Sequence, residues 1–304
     1  MLRRFLAISA LFGAVFSIAG CGCRSSATNP VFSIPAGRVV LSNIAYDTVG
    51  GRPLFLDAYL PASQLGQDPW VQFPTDPRPT LLYFHGGGWS EGDRISRSLL
   101  LLPYLEKGWC VVTADYRLLG PTNLLDCIRD CRAALRWVYG QAGKYPFDTA
   151  RIVVSGESAG AHLALMTGLT ADDPQFAVDS VPSGRPLRVA AVINWFGISD
   201  VEKAVRFWNS DAYTRQIVGS SPSAAGLLKL ASPVQHVRPG SPPVLSVHGE
   251  LDVNVPISQS EALHTALDRH GVRNELIRIP EKKHGNFSAE EFAQAFERIW
   301  QFVR

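Results

Sequence analysis

One short run limits what this chain can fold into more than any other feature: Gly156-Glu157-Ser158-Ala159-Gly160. It follows the apolar, β-branched stretch 152–155 and opens the Ala/Leu-rich stretch 159–169, so it reads as a strand turning sharply into a helix. A serine at such a turn is lifted above the edge of a sheet. Glycine at 156 and 160 removes Cβ atoms that would collide with the neighbouring strand and helix. The helix start beneath the serine offers free N–H groups and positive potential to a developing anion. A five-residue match is common by chance. The strand before it and the helix after it give it meaning.

The rest of the chain keeps the same rhythm. Residues 39–46 and 54–60 read as two early strands joined by Gly50-Gly51. Further apolar runs at 80–84, 110–114, 152–155, 189–195, 244–248 and 275–279 bring the expected strands to eight. Helical patterns fall between them at 96–107, 123–139, 159–169, 258–270 and 289–303. The last opens with Ser288 and Glu291 at the spacing of a capping box. Alternation of this kind predicts an α/β class: a mostly parallel eight-stranded sheet with helices on both faces, and chemistry gathered at the carboxyl ends of the strands. Residues 201–237 break the rhythm with Phe207, Trp208, Tyr213 and Ser/Gly/Pro turns. They read as a helical excursion near the active site, either covering part of its mouth or packing on the surface.

The chain has 304 residues, 46% hydrophobic and 18% charged, enough apolar content for one large core and too much for a disordered chain. A net charge of +2 with no long basic run gives no electrostatic footprint for nucleic acid. The first twenty residues stand apart: Arg3 and Arg4, then a nearly all apolar or small stretch 5–19, too short for a membrane span. Ile18-Ala19-Gly20-Cys21 resembles a bacterial lipobox, which implies a signal peptide at 1–20 and lipidation of Cys21. Residues 21–37 then form a tether, and 38–304 form the catalytic domain. The expected location is the cell envelope, in the periplasm or at the outer membrane, with attachment through the N-terminal lipid; an ordinary cleaved signal would give a secreted protein. Cys127 and Cys131 lie in line with Leu124, Ile128, Leu135 and Val138 on one helical stripe, so they read as small core residues rather than a disulfide or metal pair. No metal site is expected.

A second glycine cluster, His85-Gly86-Gly87-Gly88-Trp89, also ends a strand. The N–H groups of Gly86 and Gly87, with that of Ala159, form a candidate oxyanion hole, and His85 reads as a support for the loop. A serine hydroxyl needs a base. Of seven histidines, His284 alone sits in a loop after the last strand, in Lys282-Lys283-His284-Gly285-Asn286-Phe287. His162 reads as helix packing; His248, His264 and His270 lie on a strand end and its following helix, and His236 follows the excursion. The acid should follow the preceding strand, and Asp252 in 249–256 is the candidate, with Glu250 and Asp200 as competitors. Asp200 fits a structural cap better. Trp89, Trp195 and Phe196 lie near strand ends and are candidate pocket walls, with core packing an equal reading for each.

Taken together, the glycine loop, Asp115-Tyr116-Arg117-Leu118, residues 133–138, the serine elbow and the stretch 232–256 resemble the hormone-sensitive-lipase-like esterases of the α/β-hydrolase superfamily. Residues 85–94 and 249–284 are closer to bacterial feruloyl/acetyl-esterase-like (BD-FAE-like) hydrolases. The resemblance spans about residues 38–304. It implies an α/β-hydrolase fold and a cofactor-free serine carboxylesterase acting on short-chain or acyl-carbohydrate esters through a Ser-His-Asp triad. The stretch Leu119-Gly120-Pro121-Thr122-Asn123 is shorter than the matching segment of many lipase-like members, and their N-terminal cap helices have no counterpart, which leaves pocket shape open. An arylformamidase-like amide hydrolase and a non-catalytic binding protein on the same fold are the competing readings.

Overall fold

The structure is a computed structural model, and it describes residues 37–62, 73–96, 98–176 and 186–304. The expected signal peptide, Cys21 and the tether up to residue 36 lie outside the described residues. Strands β1 (Arg38–Val49), β2 (Arg52–Pro61), β3 (Arg78–Phe84), β4 (Cys110–Ala114), β5 (Phe147–Glu157), β6 (Ala191–Trp195), β7 (Val244–Gly249) and β8 (Asn274–Ile279) form one sheet in the order β1-β2-β4-β3-β5-β6-β7-β8. The β1–β2 and β2–β4 pairs are antiparallel, and every later pair is parallel. Gly50 (φ 57°) and Gly51 (φ 77°) make the first hairpin turn, where both central residues need a left-handed backbone.

Helices α1 (Leu102–Glu106), α2 (Leu124–Gly140), α3 (Ala159–Leu169), α4 (Val201–Trp208), α5 (Asp211–Val218), α6 (Ala224–Leu230), α7 (Ser258–Arg269) and α8 (Ala289–Phe302) complete the described elements, with short 3₁₀ turns. The alternation of side chains along each strand divides the core in two. Leu82 and Phe84 of β3 join α2, α3 and α7 on one face, while Leu81 and Tyr83 join α1 and α8 on the other. Helix α3 is buried along its whole length, as expected of the element behind a central strand. Cys127 and Cys131 are buried and unpaired on α2. Ser288 and Glu291 cap α8 reciprocally. The helix expected at 96–107 is shorter: a 3₁₀ turn at Ser98–Leu101 precedes α1. Pro103 in the first turn of α1 fits this start: it has no N–H to donate back four residues, so an α-helix from 96 could not run through it unbroken.

The register sets up the site. Phe84 of β3 pairs with Gly156 of β5, Glu157 with Trp195 of β6, Trp195 with Val247 of β7, and Gly249 with Ile279 of β8. Five adjacent strands therefore end nearly level, and the loops after them emerge side by side.

His162 on α3 reports on this packing. Its ring is fully buried, with Nε2 2.7 Å from the Ala231 carbonyl and the ring edge-on to Trp89. Burial pushes the imidazole down to about 4, against the pull of the Ala231 carbonyl. An unfolded chain would take the proton at its ordinary value of 6.5. Stability from this group is therefore whole above that value and is lost as pH falls toward 4, on the order of 3 kcal/mol. Urea midpoints measured across this window should fall less steeply in His162→Gln than in the parent; parallel curves would assign the loss elsewhere.

Candidate active site

Strand β5 runs directly into α3, and the residue at the junction, Ser158, has φ 52° and ψ −119°. That conformation is costly for a residue with a side chain. It is held by Ser158 N–H donating to the Trp195 carbonyl (2.9 Å) and by His162 N–H donating to the Ser158 carbonyl (3.1 Å). The flanking glycines are demanded by contact. A Cβ on Gly160 would lie 2.2 Å from the Phe84 oxygen and 2.3 Å from the His85 oxygen. One on Gly156 would lie 2.5 Å from the Gly160 carbonyl.

The loop after β8 brings His284 over this serine. His284 Nε2 is 2.9 Å from Ser158 Oγ, and Nδ1 is 2.7 Å from Asp252 Oδ2. Gly249 makes the crossing possible, since a Cβ there would meet the Lys282 oxygen at 2.4 Å. Phe196, after β6, stands edge-on to the imidazole with centroids 4.7 Å apart. Asp252 is buried, and its Oδ1 accepts the N–H groups of Asn254 and Val255, both at 2.9 Å. Burial alone would raise this carboxyl. Hydrogen bonds from His248 and His284, attraction to His284, and the Val255 N–H outweigh it and hold the group well below the usual carboxylate range. An ionised Asp252 accepts only, so Nδ1 of His284 carries the ring proton and Nε2 is free to take one from the serine.

The competitors for the acid role lie elsewhere. Asp200 caps α4, accepting from Lys203 N–H, and Glu250 is exposed beside Arg278. The other histidines are also placed: His85 donates from Nδ1 to the Gly86 oxygen (2.8 Å) and stacks on Tyr116, while His264 bonds Asn274 and Ser246.

The glycine loop lies beside the elbow. The Gly87 carbonyl accepts N–H groups from Ser90 and Glu91, and Gly87 has φ 111°. Among the described residues the N–H groups of Gly86 and Gly87 donate to no main-chain carbonyl, and that of Ala159 is in the first turn of α3, where no helix carbonyl reaches it. Gly86 and Gly87 line the same cavity as Ser158, and Ala159 follows Ser158 in the chain. A cavity of about 870 Å³ opens here, walled by Ser158, His284, Gly86, Gly87, Trp208 and Tyr213. Trp89, Trp195 and Phe196 all border it. They are also buried core residues: Trp89 donates from Nε1 to the Ala159 oxygen, and Trp195 packs on Phe292 and Phe296. The three rings thus border the cavity from within the core. Among the described residues no cluster of His, Cys, Asp and Glu is suited to a metal ion.

Sequence reasoning missed four supports. His248 Nε2 lies 2.8 Å from the Val255 oxygen and 3.4 Å from Asp252 Oδ2. Arg94 fastens the end of the glycine loop to Asp57 (2.9 Å) and Asp115 (2.6 Å). Tyr213 and Trp208 reach in from the excursion. His248 carried a local signal, its position just before the Gly249 loop, and Trp208 and Tyr213 stood out as aromatics of the excursion, with no cue to the loops they bind.

The BD-FAE family profile matches residues 70–267, a stretch that includes Gly86, Ser158 and Asp252. Esterase LipC of Mycobacterium tuberculosis is 32% identical over 197 residues, covering 62% of this chain and 48% of that protein. An isoprenylcysteine alpha-carbonyl methylesterase of Arabidopsis thaliana is 26% identical over 240 residues, covering 75% of this chain and 53% of the other. This chain thus spans about half the length of the sequence relatives it matches. Among solved structures, Thermogutta terrifontis esterase 2 phosphorylated by paraoxon superposes with a TM-score of 0.70 at 26% identity, covering 89% and 95% of the two chains. A truncated carbohydrate esterase from gut microbiota gives 0.71 at 25% identity, covering 87% and 95%. The α/β-hydrolase fold read from the sequence agrees with these neighbours.

The elbow is open to a direct check. Gly160→Ala puts a methyl into main-chain oxygens that cannot retreat, so the thermal midpoint should drop by several degrees, the scale of about 1–3 kcal/mol for overpacking. An unchanged midpoint would mean that the helix start is not pressed on β3.

Proposed function

This chain belongs to the BD-FAE family, and from its site we propose that it is a serine carboxylesterase, with Ser158 as nucleophile, His284 as general base and Asp252 as the orienting acid. The observation that carries the proposal is the unbroken hydrogen-bonded row from Ser158 Oγ through His284 to Asp252, at 2.9 and 2.7 Å. The names of the relatives support the same chemistry, since each is an esterase.

In this reading His284 Nε2 takes the hydroxyl proton as Ser158 Oγ attacks the ester carbonyl. Asp252 stabilises the imidazolium. The carbonyl oxygen gains charge among the N–H groups of Gly86, Gly87 and Ala159, each worth about 3–4 kcal/mol of barrier where fully aligned. His284 then gives its proton to the leaving alcohol, and an acyl group stays on Ser158. A water molecule, deprotonated by the same imidazole, attacks that acyl carbon; the bond to Ser158 Oγ breaks, His284 returns the proton to that oxygen, and the acid leaves.

The substrate is a small-molecule ester with a short acyl group. Thermogutta terrifontis esterase 2 has been solved with butyrate bound, which supports that size. An acyl-carbohydrate ester is the second reading, favoured by the carbohydrate esterase among the structural neighbours. We further propose export and lipidation at Cys21, supported by the lipobox-like run before it.

Ser158→Ala should abolish turnover of p-nitrophenyl butyrate and labelling by paraoxon, while leaving the fold intact. Asp252→Asn should keep the geometry and lower kcat by about 10⁴-fold, because the imidazole loses its orienting charge. Normal turnover in the Ser158 variant would sink the assignment. Cys21→Ser should move the protein from the membrane fraction to the soluble one after cell fractionation; no change in partition would count against a lipid anchor.

A further inference from the structure

The excursion 201–237 reaches both working loops through two side chains. Tyr213, on α5, donates its hydroxyl proton to the Gly88 carbonyl at 2.6 Å. Burial pushes this phenol up, so it stays a donor. Gly88 is in the left-handed region (φ 59°), and a Cβ there would lie 3.1 Å from the Tyr213 oxygen, so the ring seats closely on a residue that leaves it room. Trp208, at the end of α4, donates from Nε1 to the Asn254 carbonyl at 2.7 Å, and the N–H of Asn254 is one of the two that Asp252 Oδ1 accepts. The two side chains also touch each other, edge to face with centroids 5.4 Å apart, and both pack against Trp89. The N-cap of α5 fixes the ring further, since Ser210 Oγ accepts the Tyr213 N–H.

We propose that Tyr213 and Trp208 are positioning residues, which make the excursion a brace for the oxyanion loop and the acid loop rather than a lid over the cavity. The inference rests on the esterase reading given above. Gly87 and Gly88 continue the chain from the candidate donor N–H groups of Gly86 and Gly87. The Gly87 carbonyl is held from within the loop by Ser90 and Glu91; the Gly88 carbonyl is held from outside by Tyr213, with Ser90 Oγ a longer second donor at 3.4 Å. These bonds fix the planes 87–88 and 88–89, and so anchor the far side of the donor N–H groups at Gly86 and Gly87, where glycine leaves the chain otherwise free to turn. A donor swung away from a developing oxyanion costs rate without costing ground-state affinity. Trp208 does the same for the acid: it steadies the peptide whose N–H aims the carboxylate at His284.

The test uses the full chain and two conservative variants. Tyr213→Phe keeps the ring and its packing and removes only the donor to Gly88. It should lower kcat for p-nitrophenyl butyrate about tenfold, leave KM within about twofold, and slow paraoxon labelling in proportion, as expected when one oriented donor loses its alignment. Trp208→Phe should lower kcat through the other loop, and the double variant should fall below either single one by less or more than the product of the two losses, because the two rings touch and couple. A Tyr213→Phe enzyme with unchanged kcat and only a lower melting temperature would overturn the brace, making the contact merely structural. A rise in KM with kcat retained would overturn it in favour of a lid. If Tyr213→Phe proves too unstable to assay, Trp208→Phe carries the same kcat-against-KM readout. Failure of the esterase reading itself is distinguishable, because the parent would then show no turnover, or turnover that Ser158→Ala retains, in parallel assays.

Discussion

The start of α3 is pressed against the end of β3, and the working parts of the site follow from that approach. Gly160 faces the carbonyl oxygens of Phe84 and His85 at distances no side chain would tolerate. This contact sets where the helix begins, and so where Ser158 stands. It also lays the glycine loop, which continues from His85, directly beside the serine. One steric requirement thus puts the candidate nucleophile beside the candidate oxyanion donors before any polar contact is made. Trp89 then links the loop back to the helix through its indole bond to the Ala159 oxygen.

The acid side is built on a different principle. Asp252 is nearly inaccessible, a position where an isolated carboxylate would lose its charge. Here it stays ionised because His284, two backbone N–H groups and the more distant His248 converge on it. The His248 ring is itself fixed, with Nδ1 2.7 Å from Ser260 Oγ and Nε2 2.8 Å from the Val255 oxygen. A carbonyl accepts only, so Nε2 carries the proton and Nδ1 accepts from the serine hydroxyl. The same N–H is then turned toward the Asp252 carboxylate. Order in the acid loop therefore comes from a buried polar network in which each member has a partner.

Features that repeat along the chain were legible in the sequence. The eight strands, the central helices and the Ser288 cap follow from periodicity and local hydrogen bonding, which neighbours in sequence decide. Ser158, His284 and Asp252 were legible because each occupies a fixed place relative to a strand end, and the topology brings those ends together. The supports were not. Tyr213 meets Gly88 across 125 residues, and Arg94 meets Asp57 across 37, with no periodic or spacing cue to pair them. Trp89 could be read from its strand-end position as pocket wall or as core, and only three-dimensional placement shows one buried ring in both places.

Backbone strain marks the same region independently. Six non-glycine residues among those described have positive φ. Two are asparagines, which tolerate it. The other four are Trp89, Ser158, Phe196 and Glu281, and they lie in the loops after β3, β5, β6 and β8. Each such residue costs on the order of 1–3 kcal/mol and persists only where its surroundings leave it no alternative. The surroundings here are specific: the indole of Trp89 is bonded and boxed by aromatics, Ser158 is bonded at both its N–H and its carbonyl, and Phe196 N–H donates to the Val247 oxygen while its ring wedges between His284 and Phe287. Strain at these strand ends, held at Trp89, Ser158 and Phe196 by bonds and packing, is what a site needs if its groups are to stand in reacting geometry before substrate arrives.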